Sequence, residues 1–393
     1  MTPSQAARPR LVHLTTFDLS LTILLGPQLR AFADAGYEVI GMSAPGPAAD
    51  TLAEWGIDHV PVQHVTRAMA PHRDVRALGE LYRIFRRLRP TIVHTHNPKP
   101  GVYGRLAARA ARIPAVVNTV HGLYALPTDP LGKRALVYGL ERVASTCSDA
   151  ELVQNPEDIP VLRRLRIPEE KIHLLGNGVD LARFDRSRLS SRREATRAGL
   201  GIAPSEVVCG AIGRLVREKG YAELFAAAAE VRRTRPNVRF LVVGPEDPDK
   251  SDALSAEEID RARRDAGICF LGMRFDVEDL YTAMDLYVLA SHREGFPRSA
   301  MEAAAMGLPI IATDIRGCRQ VVDAGTSGLL VPVGDPAALA AAIGRLVDDE
   351  RARASMGAAG AAKAIAEFDQ QDVIDTTLRV YDDALARRRV ARR

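Results

Sequence analysis

The sequence predicts an α/β protein of two doubly wound, Rossmann-like domains, and three observations carry that expectation. From Arg10 onward, short apolar runs alternate with longer segments of helical period, the pattern of a parallel sheet covered by helices on both faces. The alternation occurs twice, on either side of a polar, Arg- and Ser-rich stretch from Arg183 to Arg197. At 393 residues, the chain is also longer than a single core usually supports.

In the first series, strands are expected at Leu11–Thr15, Glu38–Met42, Thr91–Thr95, Ala115–Val120 and Glu151–Gln154, with a further apolar run at Ile172–Leu175. Helices are expected at Leu21–Ala35, Val75–Leu88, Gly101–Arg112 and Leu131–Ser145, from their lengths and apolar spacing. Turn-rich Gly176-Asn177-Gly178-Val179-Asp180 then leads into the polar stretch, where the linker is placed. The second series has strands near Val207–Ile212, Arg239–Val243, Ile268–Leu271, Leu286–Leu289, Pro309–Thr313 and Leu329–Val333. The expected division is a first domain over 1–182, a linker over 183–204, a second domain over 205–368 and a C-terminal helix with a basic tail over 369–393.

Composition narrows the class. Hydrophobic residues make up 47% of the chain, enough for two full cores. A net charge of +4 from 53 basic and 49 acidic residues is too small to argue for nucleic acid. Cys147, Cys209, Cys269 and Cys318 are widely separated, so neither a zinc site nor a disulfide framework is indicated, and a reducing cytoplasm is the simplest home. The first ten residues lack the apolar core of a signal peptide, and no apolar run approaches the ~20 residues that span a bilayer. Any membrane role is therefore expected to be peripheral. In Arg83-Ile-Phe-Arg-Arg-Leu-Arg89, the side chains of Leu78, Tyr82, Phe85 and Leu88 are expected on one face and Arg83, Arg86 and Arg87 on the other; those arginines are either a solvated face or a patch for anionic lipid headgroups. The same two readings apply to the tail Arg387–Arg393.

The stretch most suggestive of chemistry is Ser291-His-Arg-Glu294-Gly295-Phe296-Pro297-Arg298-Ser-Ala-Met-Glu302. It follows the apolar run Asp285–Ala290, so Glu294 lies just past the carboxyl end of a strand, the edge where open parallel sheets bind ligands. Pro297 suits a first helical turn, and Gly307 with Pro309 suits the stop, which puts Glu302 about one and a half turns into the helix. A helix start suits a phosphate and carboxylates suit sugar hydroxyls. Taken alone, both glutamates fit a solvated surface equally well. The second domain opens with Gly210-Ala-Ile-Gly213-Arg214-Leu-Val-Arg-Glu-Lys219-Gly220, in which two cations flank a turn before a helix expected near Tyr221. That arrangement suits a diphosphate, although the order is not that of a Walker loop.

Taken together, Gly213-Arg-Leu with Lys219-Gly, Glu294-Gly-Phe-Pro with Glu302, Pro309-Ile-Ile-Ala-Thr-Asp314 and Ser327-Gly-Leu-Leu-Val-Pro332 resemble the retaining nucleotide-sugar glycosyltransferases of family 4. The likeness is collinear over nearly the whole chain and includes His94-Thr-His96-Asn97, Thr119-Val-His121-Gly122 and Asn177-Gly-Val-Asp180. Thr119–Gly122 and Thr313–Arg319 look most like the subgroup that builds capsules, O-antigens and lipid-linked oligosaccharides.

The resemblance implies the glycosyltransferase B architecture, in which two domains face each other across a cleft, with the donor held by the second domain and the acceptor by the first, and in which the C-terminal helix can cross back to the first domain. By that analogy, Arg214 and Lys219 neutralise the donor diphosphate, Glu302 accepts the ribose hydroxyls and Glu294 faces the transferred sugar. The backbone of Gly295 and Phe296, beside Pro297, meets sugar or phosphate; Gly213 opens the diphosphate loop; the base is held near Met273 and Arg274; and His121 sits close to the sugar's primary hydroxyl. Expected partners are a nucleotide-sugar donor, with UDP favoured, and a lipid-linked or glycan acceptor. No cofactor and no metal are expected. The spacing of Asp247-Pro248-Asp249 suits a metal, but the motif lies in a Pro-rich turn and is read as a loop.

Two departures from the family stand out. Thr15-Thr-Phe-Asp-Leu-Ser20 replaces a Gly-Gly pair common among relatives, and Arg298 stands where many are apolar, either contacting acceptor or diphosphate or solvated at the helix start. Two other functions remain open: a nucleotide-sugar epimerase, which this architecture also supports, and a silent nucleotide-sugar-binding partner of another transferase.

Overall fold

A computed structural model describes residues 8–66, 71–96, 98–125, 129–248 and 250–390. Asn97, Asp249 and the tail beyond position 390 lie outside the described residues. Two compact units divide the chain, one comprising residues 1–176 with 371–393 and the other residues 177–370.

The first unit is built on seven strands: β1 (Arg10–Leu14), β2 (Glu38–Ser43), β3 (Asp58–Pro61), β4 (Ile92–His96), β5 (Ala115–Val120), β6 (Ala150–Val153) and β7 (Ile172–Leu174). They form one parallel sheet in the order β3-β2-β1-β4-β5-β6-β7. The interior strands are buried throughout because helices cover both faces. β3 has no counterpart in the sequence reading; it is a four-residue edge strand that ends in Pro61 and is partly exposed, so it lacks the apolar run of a buried strand.

The helix expected at Leu21–Ala35 is divided into a π-type turn at Ser20–Leu24 and an α-helix at Gly26–Asp34. Pro27 has no N–H to continue the preceding turn and instead opens the second helix. In the helix Pro71–Leu88, the buried stripe is Ala77, Leu81 and Phe85, while Tyr82 is exposed along with Arg83, Arg86 and Arg87.

The second unit contains β8 (Val207–Ile212), β9 (Val238–Val243), β10 (Ile268–Phe270), β11 (Leu286–Leu289), β12 (Ile310–Thr313) and β13 (Gly328–Val331). This sheet is also parallel, in the order β10-β9-β8-β11-β12-β13. The order reverses between β8 and β11, so the loops leaving those neighbouring strands part at the carboxyl edge and open a crevice.

Both expected boundaries move. The stretch 183–204 is not an extended linker: it contains the helices Arg186–Leu189 and Arg193–Gly199 and packs on the second unit. Arg193 and Arg197 bind the Asp285 carboxylate at 2.5 and 3.3 Å, and Leu189 and Ile202 join the core. Arg193 and Arg197 are thus anchored to one acid and to backbone carbonyls, while Arg183 and Arg192 pair with Glu278 and Asp279. At the other end, the helix Gln370–Val390 carries the chain back, and residues 371–393 belong to the first unit, the crossing back that the resemblance implies. Ile374, Val380, Tyr381 and Ala384 complete the core around Leu11, Leu29 and Phe32.

Candidate active site

In the second unit, the loop after β8 ends at Gly220, the N-cap of the helix Tyr221–Thr234. Gly220 has φ +70° and lies so close to β11 that a Cβ there would sit 1.9 Å from the Ala290 carbonyl oxygen, so only glycine permits this approach. The contact brings the Arg214–Lys219 loop beside the Ser291–Pro297 loop. Lys219 Nζ lies 2.5 Å from Glu294 Oε1, which also accepts from Ser291 Oγ at 2.8 Å. Neither Gly220 nor Pro297, the N-cap of the helix Arg298–Ala305, caps its helix through a side chain. Two helix starts with partial positive charge therefore adjoin the switch point.

Arg214 Nη1 pairs with Asp247 Oδ2 at 2.5 Å, which joins the loop after β8 to the loop after β9. Tyr221 OH donates to the Gly213 carbonyl at 2.8 Å, and a Cβ on Gly244 would lie 2.0 Å from that same oxygen. The two loops thus close on each other through glycine.

Glu302 is 9% exposed and points into the domain. Its Oε1 receives Arg298 Nε at 3.1 Å and its Oε2 receives Tyr281 OH at 3.0 Å, while Tyr281 OH also reaches the Ser299 carbonyl. Burial raises the Glu302 pKa above the usual carboxylate value, and the Arg298 charge and the Tyr281 hydrogen bond oppose that rise. Beside β9 and β10, a cavity of about 260 Å³ is lined by Gly244, Pro245, Ile259, Phe270, Gly272 and Met273, among others. Met273 is 42% exposed and offers an apolar surface, whereas the Arg274 guanidinium is held by Asp276.

In the first unit, His121 follows β5 directly, and its ring nitrogens contact Gln154 Oε1 at 3.1 Å and His96 Nδ1 at 3.0 Å. Burial lowers its pKa to about 4, so the imidazole is neutral. His13, His94 and His96 have ring nitrogens within 4.8 Å of one another, close enough to hold a cation, yet each ring already uses both nitrogens in hydrogen bonds.

Comparison with known proteins gives this geometry a family. Residues 28–183 match the family described as Glycosyltransferase Family 4, and residues 206–349 match Glycosyl transferases group 1. The chain is 30% identical over 399 aligned positions to D-inositol 3-phosphate glycosyltransferase 1 of Catenulispora acidiphila, covering 93% of this chain and 91% of that one. It belongs to the family 4 glycosyltransferases. It is also 29% identical over 308 residues to UDP-Gal:alpha-D-GlcNAc-diphosphoundecaprenol alpha-1,3-galactosyltransferase of Escherichia coli, over 78% of each chain. With the capsular polysaccharide biosynthesis glycosyltransferase CapM of Staphylococcus aureus, identity is 26% over 96% of this chain and 97% of that one. Among solved structures, the Anabaena protein HepE in complex with UDP and glucose superposes with a TM-score of 0.81 at 20% identity, covering 96% of this chain and all of that one. Sucrose-phosphate synthase from Thermosynechococcus elongatus gives 0.80 at 22%, with the same coverage. The fold is the glycosyltransferase B fold.

For this glycosyltransferase, the expected donor residues Gly213, Arg214, Lys219, Met273, Arg274, Glu294, Gly295, Phe296, Pro297 and Glu302 all lie at the carboxyl edge of one sheet or in the helix that leaves it. His121 lies in the other unit. Arg298 pairs with Glu302 at 3.1 Å, a contact that neither reading of that residue gave. Pairwise contacts differ from a simple set of free charges, since Lys219 is bound to Glu294 and Arg214 to Asp247. Sequence reasoning did not find Tyr281, and it quoted Ser291 and Asn177 within motifs without giving them a role; Asn177 Nδ2 donates to the Phe296 carbonyl at 3.2 Å. The available signal for Tyr281 was a tyrosine inside an apolar run, because a buried phenol needs a polar partner.

Proposed function

We propose that this glycosyltransferase moves a hexose or N-acetylhexosamine from a UDP-sugar to a lipid-linked or glycan acceptor in surface polysaccharide synthesis, with retention and without a metal ion. The observation that carries this reading is the placement of Lys219, Arg214 and two uncapped helix starts around the switch point, with Glu302 buried one turn away. The UDP donor and the lipid-linked acceptor are suggested by the names of the Escherichia coli relative and of the UDP complex of HepE.

When the glycosidic bond to the diphosphate breaks, negative charge grows on the bridging phosphate oxygen while the sugar becomes oxocarbenium-like. Fixed cations and helix N–H groups aimed at that oxygen stabilise the transition state more than the ground state. Arg214 and Lys219 supply that charge, and with both present the leaving group has protein cations where other enzymes use a metal. Donor entry exchanges the carboxylate partners of these cations, Asp247 and Glu294, for phosphate oxygens and frees Glu294 to face the sugar. The acceptor oxygen attacks from the face the diphosphate leaves, and a phosphate oxygen takes its proton.

Incubation with a panel of UDP-sugars and a polyprenyl-diphosphate sugar should yield one product, with the anomeric configuration of the donor by NMR and the same rate in a chelator. Absence of transfer across the panel, inversion, or chelator loss restored by magnesium would each remove the corresponding part of the reading. An epimer formed from donor alone would establish the epimerase alternative, and UDP binding without turnover would establish a silent partner.

Among the described residues, no helix is long and apolar enough to cross a membrane. The helix Leu131–Ser145 nevertheless exposes Leu131, Leu136, Leu140 and Val143 beside Lys133 and Arg142, an apolar and basic surface suited to the anionic inner face of a membrane. Lys133 pairs with Asp129 and Arg142 donates to the Leu165 carbonyl, and the tail cations Arg387 and Arg388 are likewise held by the Glu170 carbonyl and by Asp149. Co-sedimentation with anionic vesicles, weakened by Leu136→Ser with Leu140→Ser, tests this attachment.

A further inference from the structure

In the second sheet, β9 and β11 lie on either side of β8, so the loop that carries Arg214 and Lys219 has a loop on each flank. On one flank, the loop after β11 offers Glu294 to Lys219. On the other, the loop after β9 grips the same turn through residues for which the transfer chemistry has no use. Leu215 N–H donates to the Pro245 carbonyl at 2.9 Å, and Leu254 N–H donates back to the Leu215 carbonyl at 3.1 Å. Arg217 N–H donates to the Asp252 carbonyl at 2.8 Å, and the next N–H, that of Glu218, donates to Asp252 Oδ2 at 3.1 Å. Lys250 Nζ lies 2.8 Å from Glu218 Oε2 and 3.0 Å from Asp252 Oδ1. Arg217 reaches Glu258 at 2.7 Å, whose carboxylate also closes the capping box of the helix Ala256–Asp265.

These bonds converge on the residue before Lys219. Arg217–Lys219 is a single turn of 3-10 helix, closed by Lys219 N–H to the Val216 carbonyl at 3.0 Å and by Gly220 N–H to the Arg217 carbonyl at 2.9 Å. One such turn holds itself poorly, because it has few hydrogen bonds for the dihedrals it orders. Glu218 brings in what the turn lacks. Its N–H is taken by Asp252, and its carbonyl accepts from His292 N–H at 2.8 Å, two positions before Glu294. The peptide units on both sides of Glu218 are thereby tied to the loops of the two flanking strands, and Lys219 begins at the second of them. A carboxylate is a strong acceptor for this task, since a hydrogen bond to an ionised group is roughly twice as strong as a neutral one. A negative charge beside a loop that receives a diphosphate opposes that ligand, so attraction does not explain the acid at this position. The backbone that it holds does.

We infer that Asp252 is a positioning residue for the donor diphosphate: by holding the Glu218 N–H it sets the turn from which Lys219 reaches the phosphate, with Lys250 steadying its carboxylate. The inference deepens the proposed function and rests on its reading that a nucleoside diphosphate meets Lys219. A loop that samples other turns binds in proportion to the time it spends in the competent one.

Calorimetry with UDP and NMR titration with uridine, on the full chain and its variants, test the assignment. Losing one charged hydrogen bond lets other turns compete, so Asp252→Ala should weaken UDP by about tenfold and leave uridine, which has no phosphate, unchanged. Tighter UDP binding would mean that only the charge mattered, and an equal loss for UDP and uridine would mean a general loosening of the domain; either overturns the inference, as does unchanged UDP affinity. Asp252→Asn keeps an oxygen for the Glu218 N–H and drops the charge, so its UDP affinity should match or exceed that of the parent chain, and a loss as large as that of Asp252→Ala overturns the inference. In a Lys219→Ala chain, Asp252→Ala should weaken UDP no further, because the turn then has no cation to place, and a second full loss overturns the inference. Asp252→Glu, which keeps the charge and moves the oxygen by one methylene, should show the same selective loss of UDP if the alanine variant does not fold. A parent chain that fails to bind UDP removes the proposed function and this inference with it, whereas UDP binding indifferent to Asp252 removes the inference alone.

Discussion

The two sheets share a parallel, doubly wound plan, yet their carboxyl edges are furnished in opposite ways. The second unit gathers half-buried charge there: Lys219 with Glu294, Arg214 with Asp247 and Arg298 with Glu302. The first unit gathers neutral imidazoles, all of them engaged with one another or with uncharged groups. Its buried carboxylates at that edge, Asp18 and Asp158, accept from the backbone N–H groups of Ala48 and Leu123, and its fully buried cation, Arg105, is enclosed between Glu151 at 2.7 Å and Glu141 at 2.9 Å. On the proposed function, the charged edge meets a departing diphosphate, whose charge changes during the reaction and is stabilised by fixed cations.

The largest expected effect breaks the structural side of this contrast. Arg105→Ala leaves the Glu151 carboxylate buried with no countercharge, and removing one partner of a buried pair costs about 3–5 kcal/mol. Thermal unfolding should show a strongly weakened first unit. Unchanged calorimetric affinity for UDP would confirm that the two edges are energetically separate, and an equal loss of UDP binding would contradict it.

Next in size is the charged edge itself. Lys219→Ala should lower kcat by about 100- to 1,000-fold, the range for losing one transition-state donor, with a smaller change in KM for the donor sugar. Steady-state rates at saturating donor check this, and a pure KM effect would reassign Lys219 to ground-state binding. Glu302→Gln should weaken UDP by about 10- to 100-fold, since charged hydrogen bonds of roughly 1.5–3 kcal/mol are at stake. Stability should not fall in parallel. The folded pKa of Glu302 is raised, so its contribution to stability is complete only below the unfolded carboxylate value and is lost as pH rises through the raised value. At neutral pH the charge already costs stability, and a neutral glutamine removes that cost; a lower unfolding temperature for Glu302→Gln would contradict this account.

The smallest effect is the pH dependence of nucleotide affinity. On the proposed ribose role, Glu302 accepts when ionised, so affinity should begin to fall on acidification at a pH above that expected for an ordinary glutamate, near 4.3. Calorimetry on acidification from neutral pH reads this, and the Glu302→Gln variant should lack the step. His121 adds no titration in that window, because burial holds its pKa at about 4.

Much of the fold was legible because parallel strands buried on both faces appear as continuous apolar runs, and β8, β5 and β11 lie where those runs do. β3 was not, since a short edge strand carries no such run. The linker was misplaced because Arg193 and Arg197 look solvated until Asp285, some ninety positions away, is brought to them. That the residues of the candidate site would gather at one sheet edge was legible through their order and spacing, which a loop after a strand preserves locally. Their pairing was not, for Lys219 and Glu294 are joined only when β8 and β11 become neighbours and Gly220 lets the two loops touch.

By itself, then, the sequence determined the α/β class, the two-fold repetition of the sheet and the chemical types gathered around a nucleotide-sugar site, because these depend on local period, turn residues and order along the chain. Tertiary structure alone decided which charges neutralise one another, that Tyr281 supports Glu302, and that His121 ends a chain reaching Tyr381 in the C-terminal helix. Those outcomes depend on strand order and register, which bring together groups as far apart in sequence as His94 and Tyr381. Once such groups are buried, the requirement that every donor find an acceptor fixes the arrangement of the protons.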